Sequence, residues 1–376
     1  MMSARFLTVV LERAFNMRDG FGREIDYMRI SVIDSCNLNC YYCNPCDNNE
    51  HCHALNILSV KEVLCIVRAA TRLGIKHFRL TGGEPLLHPQ LDEMVLQIKK
   101  IPGVSSVSLT TNAVLLAQHA KWLKEAGIDS INVSLDTIDA SEYERITKKP
   151  LLDKVEHGID AAIECGIRVK INVVLTPQTD VVALTRYVAK KGTDIRFIEM
   201  MPVGEGHTNG VEPYKKVIGT LSKLYGEPCR INTEKTKEIN SGNDKRKIPD
   251  NGPAEYYIFP ELGIRVGLIQ AIHGKFCDTC NRIRVTADGR LMPCLGSSVT
   301  MDLVPDSCEF TDDLEKDFVI VQALKAAIKA KPGCHNFNDN AVAYTKTTET
   351  KTVETKTTEL KAAEVNAARN MSRIGG

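Results

Sequence analysis

The chain has 376 residues, 48 Lys plus Arg against 47 Asp plus Glu, and 13 cysteines. Near-neutral charge excludes a general nucleic-acid or membrane-surface binder, so any polyanion has to be met by a local cluster of bases. The length excludes a small disulfide scaffold and suits one large domain with an appendage, or two domains.

The N-terminal stretch Met1 to Asn16 offers only a five-residue apolar run, Phe6 to Val10, with Glu12 close behind. That is too short for a secretory core or a membrane span, and the expectation is a cytoplasmic protein in a compartment that keeps thiols reduced. From Tyr27 onward, β-rich apolar runs alternate with amphipathic helical patterns. Strands are expected at Met28–Ile33, His77–Leu80, Ser106–Leu109, Ser130–Leu135, Arg168–Leu175 and Asp194–Met200. Between them, helices are expected at Val60–Leu73, Leu91–Lys100, Ala117–Ala126, Leu152–Cys165 and Val181–Lys190. Gly74, Gly103, Gly127, Gly166 and Gly192 stand just past helix ends, where a left-handed residue is wanted. Six βα units in series imply a parallel sheet with helices outside it.

The unusual residues decide between a doubly wound sheet and a barrel. Cys36–Cys43, Thr81–Pro85, Thr110–Asn112, Asp136 and Met200–Met201 all fall at or beyond strand C-termini, as the active-site groups of a βα-barrel do. A doubly wound sheet would gather them at one switch point. The expected fold class is therefore α/β, an incomplete (β/α)6 TIM-like barrel whose open side an α+β C-terminal region closes. The expected division is an N-terminal extension at 1–19, the partial barrel at 20–202, a second region at 203–337, a polar low-complexity linker at 338–370 and a tail at 371–376. In the second region, Tyr256–Phe259 and Arg265–Ile269 read as strands, Leu314–Lys329 as a helix, and Asn232–Lys247 as an exposed loop. The Thr/Lys/Glu repeats after Asn338 are too polar to fold alone.

Two cysteine sets carry the chemistry. Cys36-x3-Cys40-x2-Cys43 directly follows the first strand, and three thiolates can hold three irons of a [4Fe-4S] cubane while leaving the fourth open. Cys277-x2-Cys280-x13-Cys294 is a second set of three. Zinc is the competing reading of both, completed in the second set by His273, Cys308 or His335. Arg282 and Arg284 are two apart on an expected strand beside the second set, so they share a face; paired guanidiniums there suit a triphosphate, although solvated strand charges are the commoner case. Lys170 and Asn172 share a face in the same way.

The first cysteine set, Tyr42 within it and Gly82-Gly83-Glu84-Pro85 resemble the radical S-adenosylmethionine (SAM) superfamily. Over about residues 20–337 and again at Gly375-Gly376, the chain is similar to the MoaA family, the GTP 3′,8-cyclases of molybdenum cofactor biosynthesis. Arg29-Ile-Ser-Val, Arg79-Leu-Thr-Gly-Gly-Glu-Pro85, Thr110-Thr-Asn112, Asn132-Val-Ser-Leu-Asp136, Lys170-Ile-Asn-Val, Arg196-Phe-Ile-Glu-Met-Met-Pro202 and the Cys277 block carry that likeness, in order.

The resemblance implies two [4Fe-4S] clusters and SAM as cofactors, the first cluster on Cys36, Cys40 and Cys43 and the second on Cys277, Cys280 and Cys294. It implies SAM contacts from Tyr42, Gly83, Ser134 and Met201, and GTP contacts from Arg29, Arg79, Thr110, Lys170, Arg282 and Arg284. Catalytic roles fall to Arg282, Arg284, Gly375 and Gly376. The implied reaction is abstraction of the ribose C3′ hydrogen by a 5′-deoxyadenosyl radical, attack of C3′ on guanine C8, and reduction of the resulting nucleotide radical by one electron and one proton to (8S)-3′,8-cyclo-7,8-dihydroguanosine 5′-triphosphate. The implied partners are GTP, an electron donor such as ferredoxin or flavodoxin, and cyclic pyranopterin monophosphate synthase downstream; a homodimer is compatible, with neither nucleic acid nor membrane. Two departures stand out: Cys46, His51, Cys52 and His53 add four donors after the first set, read as lying in a mobile loop, and the tail before Gly375-Gly376 is long. A radical SAM enzyme acting on a peptide, and a non-enzymatic metal or redox binder, are the rival classes.

Overall fold

Along the first strand, apolar and polar residues alternate, and the two faces go to different places. In the computed structural model, β1 (Tyr27–Ser31) turns Met28 and Ile30, both fully buried, toward the helices, while Tyr27 and Arg29 line an internal cavity. The same division recurs in β2 (His77–Thr81), β3 (Ser106–Thr111), β4 (Ser130–Ser134), β5 (Val169–Leu175) and β6 (Asp194–Glu199). Phe78, Leu109, Ile131, Ile171 and Phe197 are buried on the outer face, whereas Arg79, Thr110, Asn132, Lys170 and Arg196 line the cavity. A filled barrel has branched apolar side chains inside. This one has its apolar layer outside, under the helices, and a polar lumen.

The structure describes residues 17–43, 56–203, 206, 210–231, 252–297, 299–303, 313–335 and 337. The expected readings of Phe6–Val10, Cys46, His51, Cys52, His53, Asn232–Lys247, Cys308, the polar linker and Gly375-Gly376 lie outside the described residues.

Strands β1 to β6 pair in sequence order, each parallel to the next. The connecting helices are α1 (Val60–Arg72), α2 (Leu91–Lys99), α3 (Leu116–Glu125), α4 (Ala140–Thr147), α5 (Leu152–Glu164) and α6 (Val181–Lys190). Helix α4 is an addition to the expected set, so the β4–β5 crossover carries two helices. The α1 start is fixed by a reciprocal cap: the Glu62 carboxylate accepts from the Ser59 N–H at 2.8 Å and the Ser59 hydroxyl accepts from the Glu62 N–H at 3.3 Å, an arrangement worth about 1 kcal/mol. The five glycines expected past helix ends all have positive φ, between 64° and 91°.

The second region contributes α7 (Gly219–Tyr225), β7 (Cys229–Ile231), β8 (Glu255–Ile258), β9 (Arg265–Ile269), β10 (Arg282–Val285), β11 (Arg290–Met292), β12 (Met301–Asp302) and α8 (Asp313–Lys329). The sheet order is β12-β11-β10-β1-β2-β3-β4-β5-β6-β9-β8-β7. Strand β10 joins β1 and β9 joins β6, both in parallel, while β11, β12, β8 and β7 add antiparallel margins. The second region thus closes the open side by extending both edges of the partial barrel. The link between β9 and β10 runs from one margin to the other and from the C-terminal to the N-terminal end of the strands, and it carries Cys277 and Cys280. Helix α8 packs on α1, with an Arg72–Asp317 ion pair at 3.1 Å.

Candidate active site in the barrel lumen

A single cavity of ≈ 590 Å³ contains every described residue to which the sequence assigned a site role. Cys36, Cys40 and Cys43 sit at its upper end, beyond the C-terminus of β1. Cys277, Cys280 and Cys294 sit at the other end. There Cys280 stands two residues before Arg282, the first residue of β10, which pairs with Tyr27, the first residue of β1. Cys36–Cys43 lie beyond a strand C-terminus as expected, whereas the second set, for which no such position was expected, is delivered by the link that descends across the open side.

The upper loop is held by backbone. Gly83 N–H donates to Ile33 O at 2.7 Å and Glu84 N–H to Ser35 O at 2.8 Å, while Asn39 and Tyr41 N–H donate to Thr147 and Ile146 carbonyls. The fully buried Glu84 accepts from the Thr111 hydroxyl at 2.7 Å, the Asn112 N–H at 2.7 Å and the Leu86 N–H at 3.0 Å. Its burial pushes its pKa up to about 7 against those hydrogen bonds. Asn112 in turn donates to the Asn37 side chain at 2.7 Å and lies 3.8 Å from the Cys36 sulfur. Tyr42 donates its hydroxyl to Asp136 at 2.5 Å, and the other Asp136 oxygen accepts from Val174 N–H at 2.7 Å. Burial pushes Asp136 up to about 6, and it pushes the Cys36 and Cys43 thiols up to about 11 and about 12. A cationic iron core is the partner that would take such buried thiols as thiolates; the donor set and its half-buried setting fit a cluster with one open iron.

Between the two ends runs a band of positive charge. The lining has eight Arg or Lys against three Asp or Glu. Register alone juxtaposes Arg284, Arg29 and Arg79 on neighbouring strands β10, β1 and β2. Arg79 donates to the Tyr27 hydroxyl at 2.5 Å and to Thr110 Oγ1 at 3.3 Å. Arg282 stacks over Phe276 at 5.5 Å and Lys170 lies over Tyr256 at 5.9 Å. Burial, then the charge of Arg284, depresses Arg29 far below its ordinary pKa; burial, then Arg282, lowers Arg284 to about 10. Lys170 is 7 % and Arg284 9 % exposed, so neither is a solvated strand charge. Like charges crowded in a buried lumen are a preformed seat for a polyanion.

Several contributors had no site role in the sequence reading, although Arg196 and Glu199 stand in one of the segments that carry the family likeness. Arg196, 4 % exposed, lines the lumen with its Nε on Asn172 at 3.0 Å; its place two residues into β6, on the face shared with Lys170 and Asn172, was the available signal. Glu199 accepts from the Ile272 and His273 N–H groups at 2.7 and 3.1 Å and pairs with the His273 ring, so it fixes the start of the descending link. Arg23 is another: its guanidinium donates to Cys277 O at 2.6 Å, Gly333 O at 3.1 Å and Pro332 O at 2.6 Å, which ties the second cysteine set to the stretch after α8. The His273 ring pairs with Glu199, and His335 Nε2 bonds Ala271 O at 2.7 Å.

Two family profiles cover the chain: Radical SAM superfamily over residues 30–183 and Molybdenum Cofactor Synthesis C over residues 193–337. A GTP 3′,8-cyclase of Clostridium perfringens is 36% identical over 324 residues, spanning 85% of this chain and 95% of its own. The chain belongs to the GTP 3′,8-cyclase family. Another member, from Listeria monocytogenes, is likewise 36% identical, over 323 residues, spanning 85% of this chain and 92% of its own. Among solved structures, Streptococcus suis SuiB bound to S-adenosylmethionine superposes with a TM-score of 0.52 at 15% identity, over 80% of this chain and 65% of that longer one; at that identity the likeness concerns the fold alone. As a family member, the chain is a radical SAM enzyme that uses SAM and a [4Fe-4S] cluster. Among the described residues, no helix is long and apolar enough to cross a membrane.

Proposed function

We propose that the lumen turns GTP into (8S)-3′,8-cyclo-7,8-dihydroguanosine 5′-triphosphate, with the radical made at the upper end and the nucleotide held below it. The carrying observation is that one cavity joins both cysteine sets with the cationic band between them. Cys36, Cys40 and Cys43 hold the first cluster, and Tyr42, Gly83, Ser134 and Met201 seat SAM against it. SAM on that cluster supplies the 5′-deoxyadenosyl radical. Cys277, Cys280 and Cys294 hold a second [4Fe-4S] cluster that receives the purine. Arg29, Arg79, Lys170, Arg282 and Arg284 grip the triphosphate, with Thr110 on the nucleotide. Their work is positional: they keep ribose C3′ within reach of the radical and guanine C8 within reach of C3′, away from bulk water. The working division is the partial barrel at 20–202, the closing region at 203–337 and the tail. A cytoplasmic setting, a ferredoxin or flavodoxin donor, and cyclic pyranopterin monophosphate synthase as consumer of the product complete the reading.

Anaerobic incubation with SAM, GTP and a strong reductant tests it by chromatographic separation and fragmentation mass analysis of the nucleotides. The expected result is one cyclised nucleotide with a mass equal to GTP, about eight irons per chain, and 5′-deoxyadenosine released in step. SAM cleavage without GTP consumption would point to the peptide-modifying class, and zinc without iron would end both enzyme readings.

Gly375-Gly376 is assigned to complete the site from the tail. A random coil of roughly 33 residues spans on the order of 30 Å. Deleting the two glycines is expected to leave iron content unchanged while cyclised product disappears; normal turnover by the truncated chain refutes the assignment.

A further inference from the structure

We infer that Lys331 is the counter-charge of the second cluster: its ammonium stands at the lower end of the lumen to neutralise the cluster and make it easier to reduce. This rests on the proposal that Cys277, Cys280 and Cys294 hold a cluster, and gives a role to a residue outside that ligand set.

Lys331 comes two residues after α8 and is 3 % exposed, yet it lines the same lumen as the three cysteines. Its Nζ donates to Pro293 O at 2.9 Å, the carbonyl of the peptide unit whose nitrogen belongs to Cys294. Its place is built in from both sides. The Lys331 N–H closes the last turn onto Ile328 O at 3.2 Å. The buried Arg23, paired with Asp19 at 2.6 Å, takes the next two carbonyls, Pro332 O at 2.6 Å and Gly333 O at 3.1 Å. The same guanidinium donates to Cys277 O at 2.6 Å. On the cysteine side, the turn after Cys294 packs so closely on this stretch that a Cβ added at Gly296 would lie 2.8 Å from His335 Cβ.

A buried ammonium needs an anion, and a neutral carbonyl is not one. The lumen has three acids, each committed elsewhere: Asp129 to Lys99 and the Val107 N–H, Asp136 to Tyr42 and the Val174 N–H, Glu199 to the Ile272 and His273 N–H groups. Among the described residues, no carboxylate pairs with Lys331. The anion that suits this end is a cubane on three thiolates, a monoanion when oxidised and a dianion when reduced. A cation beside it favours the reduced form, since cluster potential follows net charge and hydrogen bonding around the sulfurs. The upper end is the opposite, for the charged groups acting on Cys36 and Cys43 there are the carboxyls of Glu84 and Asp136. The contrast reaches the thiols. Burial pushes Cys43 up to about 12, whereas at Cys280 the charges of Lys331 and Arg282 outweigh burial and bring the thiol below its ordinary value. The two clusters are thereby set apart, the upper one strongly reducing, as cleaving the sulfonium demands, and the lower one readily reduced.

The test is an anaerobic redox titration of the iron-loaded full chain, followed by electron paramagnetic resonance, for the wild type, Lys331→Gln and Lys331→Arg. The signal that SAM perturbs reports the first cluster and the signal that GTP perturbs reports the second, so the first is a control within each sample. All three proteins are expected to carry about eight irons. At a fixed solution potential, the reduced-to-oxidised ratio of the second cluster should fall at least about tenfold in Lys331→Gln, equivalent to about 59 mV for one electron. Lys331→Arg should stay within about twofold of the wild type, and the first cluster should titrate alike in all three. Loss of the second cluster from Lys331→Gln with retention in Lys331→Arg supports the same role, the charge then being needed to keep the cluster at all. An unchanged second-cluster potential in iron-replete Lys331→Gln overturns the inference, even if GTP binds less tightly. Loss of that cluster from both variants overturns it too, since the lysine would then only tether Pro293. A wild type with about four irons and no GTP-sensitive signal overturns the second-cluster reading beneath it.

Discussion

Gly83→Ala is expected to remove SAM cleavage by at least about 100-fold, because a methyl group there has nowhere to go. A Cβ at Gly83 would lie 2.2 Å from Ser35 O and 2.5 Å from Asp34 O. Those obstacles are backbone of the segment that leads into Cys36, and Ser35 O already accepts the Glu84 N–H. The clash can be relieved only by moving the loop. Overpacking of this kind costs about 1–3 kcal/mol or more, and misplacing reacting groups by about 1 Å costs about 100-fold in rate. Iron is expected to fall from about eight to about four per chain, with 5′-deoxyadenosine at background. Gly219→Ala is the control: nothing lies within 4 Å of its added Cβ, and α7 begins there, so iron and activity should stay as in the wild type. Full iron loading and normal SAM cleavage by Gly83→Ala would show that close backbone approach is not what shapes the loop.

The barrel was legible because its signal is local. Met28 and Ile30, Phe78 and Leu80, Ile131 and Val133 repeat with a period of two in single short runs, and the glycines that end the helices are one step from the last turn. The first cysteine set was legible for the same reason, since its three sulfurs come from one loop. The lower end of the site was harder, because its parts come from far apart. Arg23 meets Cys277 across 254 positions of sequence and Gly333 across 310; no periodicity connects such residues. The polar lumen was half-visible: Lys170 and Asn172 were seen to share a face, and Arg196 sits on the next strand in register with Asn172. Joining them needed the pairing of β5 with β6. The closure of the open side also depended on pairing, since β9 and β10 are close in sequence yet join opposite edges of the six-stranded core.

Arg284→Met is expected to stabilise the nucleotide-free enzyme and to disable it, two effects with one cause. Buried at 9 % exposure, in register with Arg29 and two residues from Arg282, its guanidinium is charged where burial and neighbouring charge oppose it. That is why its pKa falls to about 10. A base whose folded pKa is depressed binds its proton less tightly in the folded state than in the unfolded one. The penalty is therefore full at neutral pH and fades as pH rises through about 10 toward the unfolded value. Removing the charge at neutral pH should relieve on the order of 1–3 kcal/mol and raise the thermal midpoint of the nucleotide-free protein by several degrees. The triphosphate reverses the sign, since each charge-assisted hydrogen bond to it contributes about 1.5–3 kcal/mol. The Kd for GTP should rise about 10- to 100-fold, and the thermal shift produced by a fixed GTP concentration should shrink with it. Wild-type affinity should fall with added salt more steeply than that of the variant. Both clusters are expected to load normally and SAM cleavage to continue, uncoupled from cyclisation, because the radical end of the lumen is untouched. A variant with unchanged GTP affinity and an unchanged thermal midpoint would mean that the band of arginines is not a seat for a polyanion. A variant that gains stability yet keeps its affinity would place the triphosphate on the opposite wall, where Lys170 and Arg196 stand.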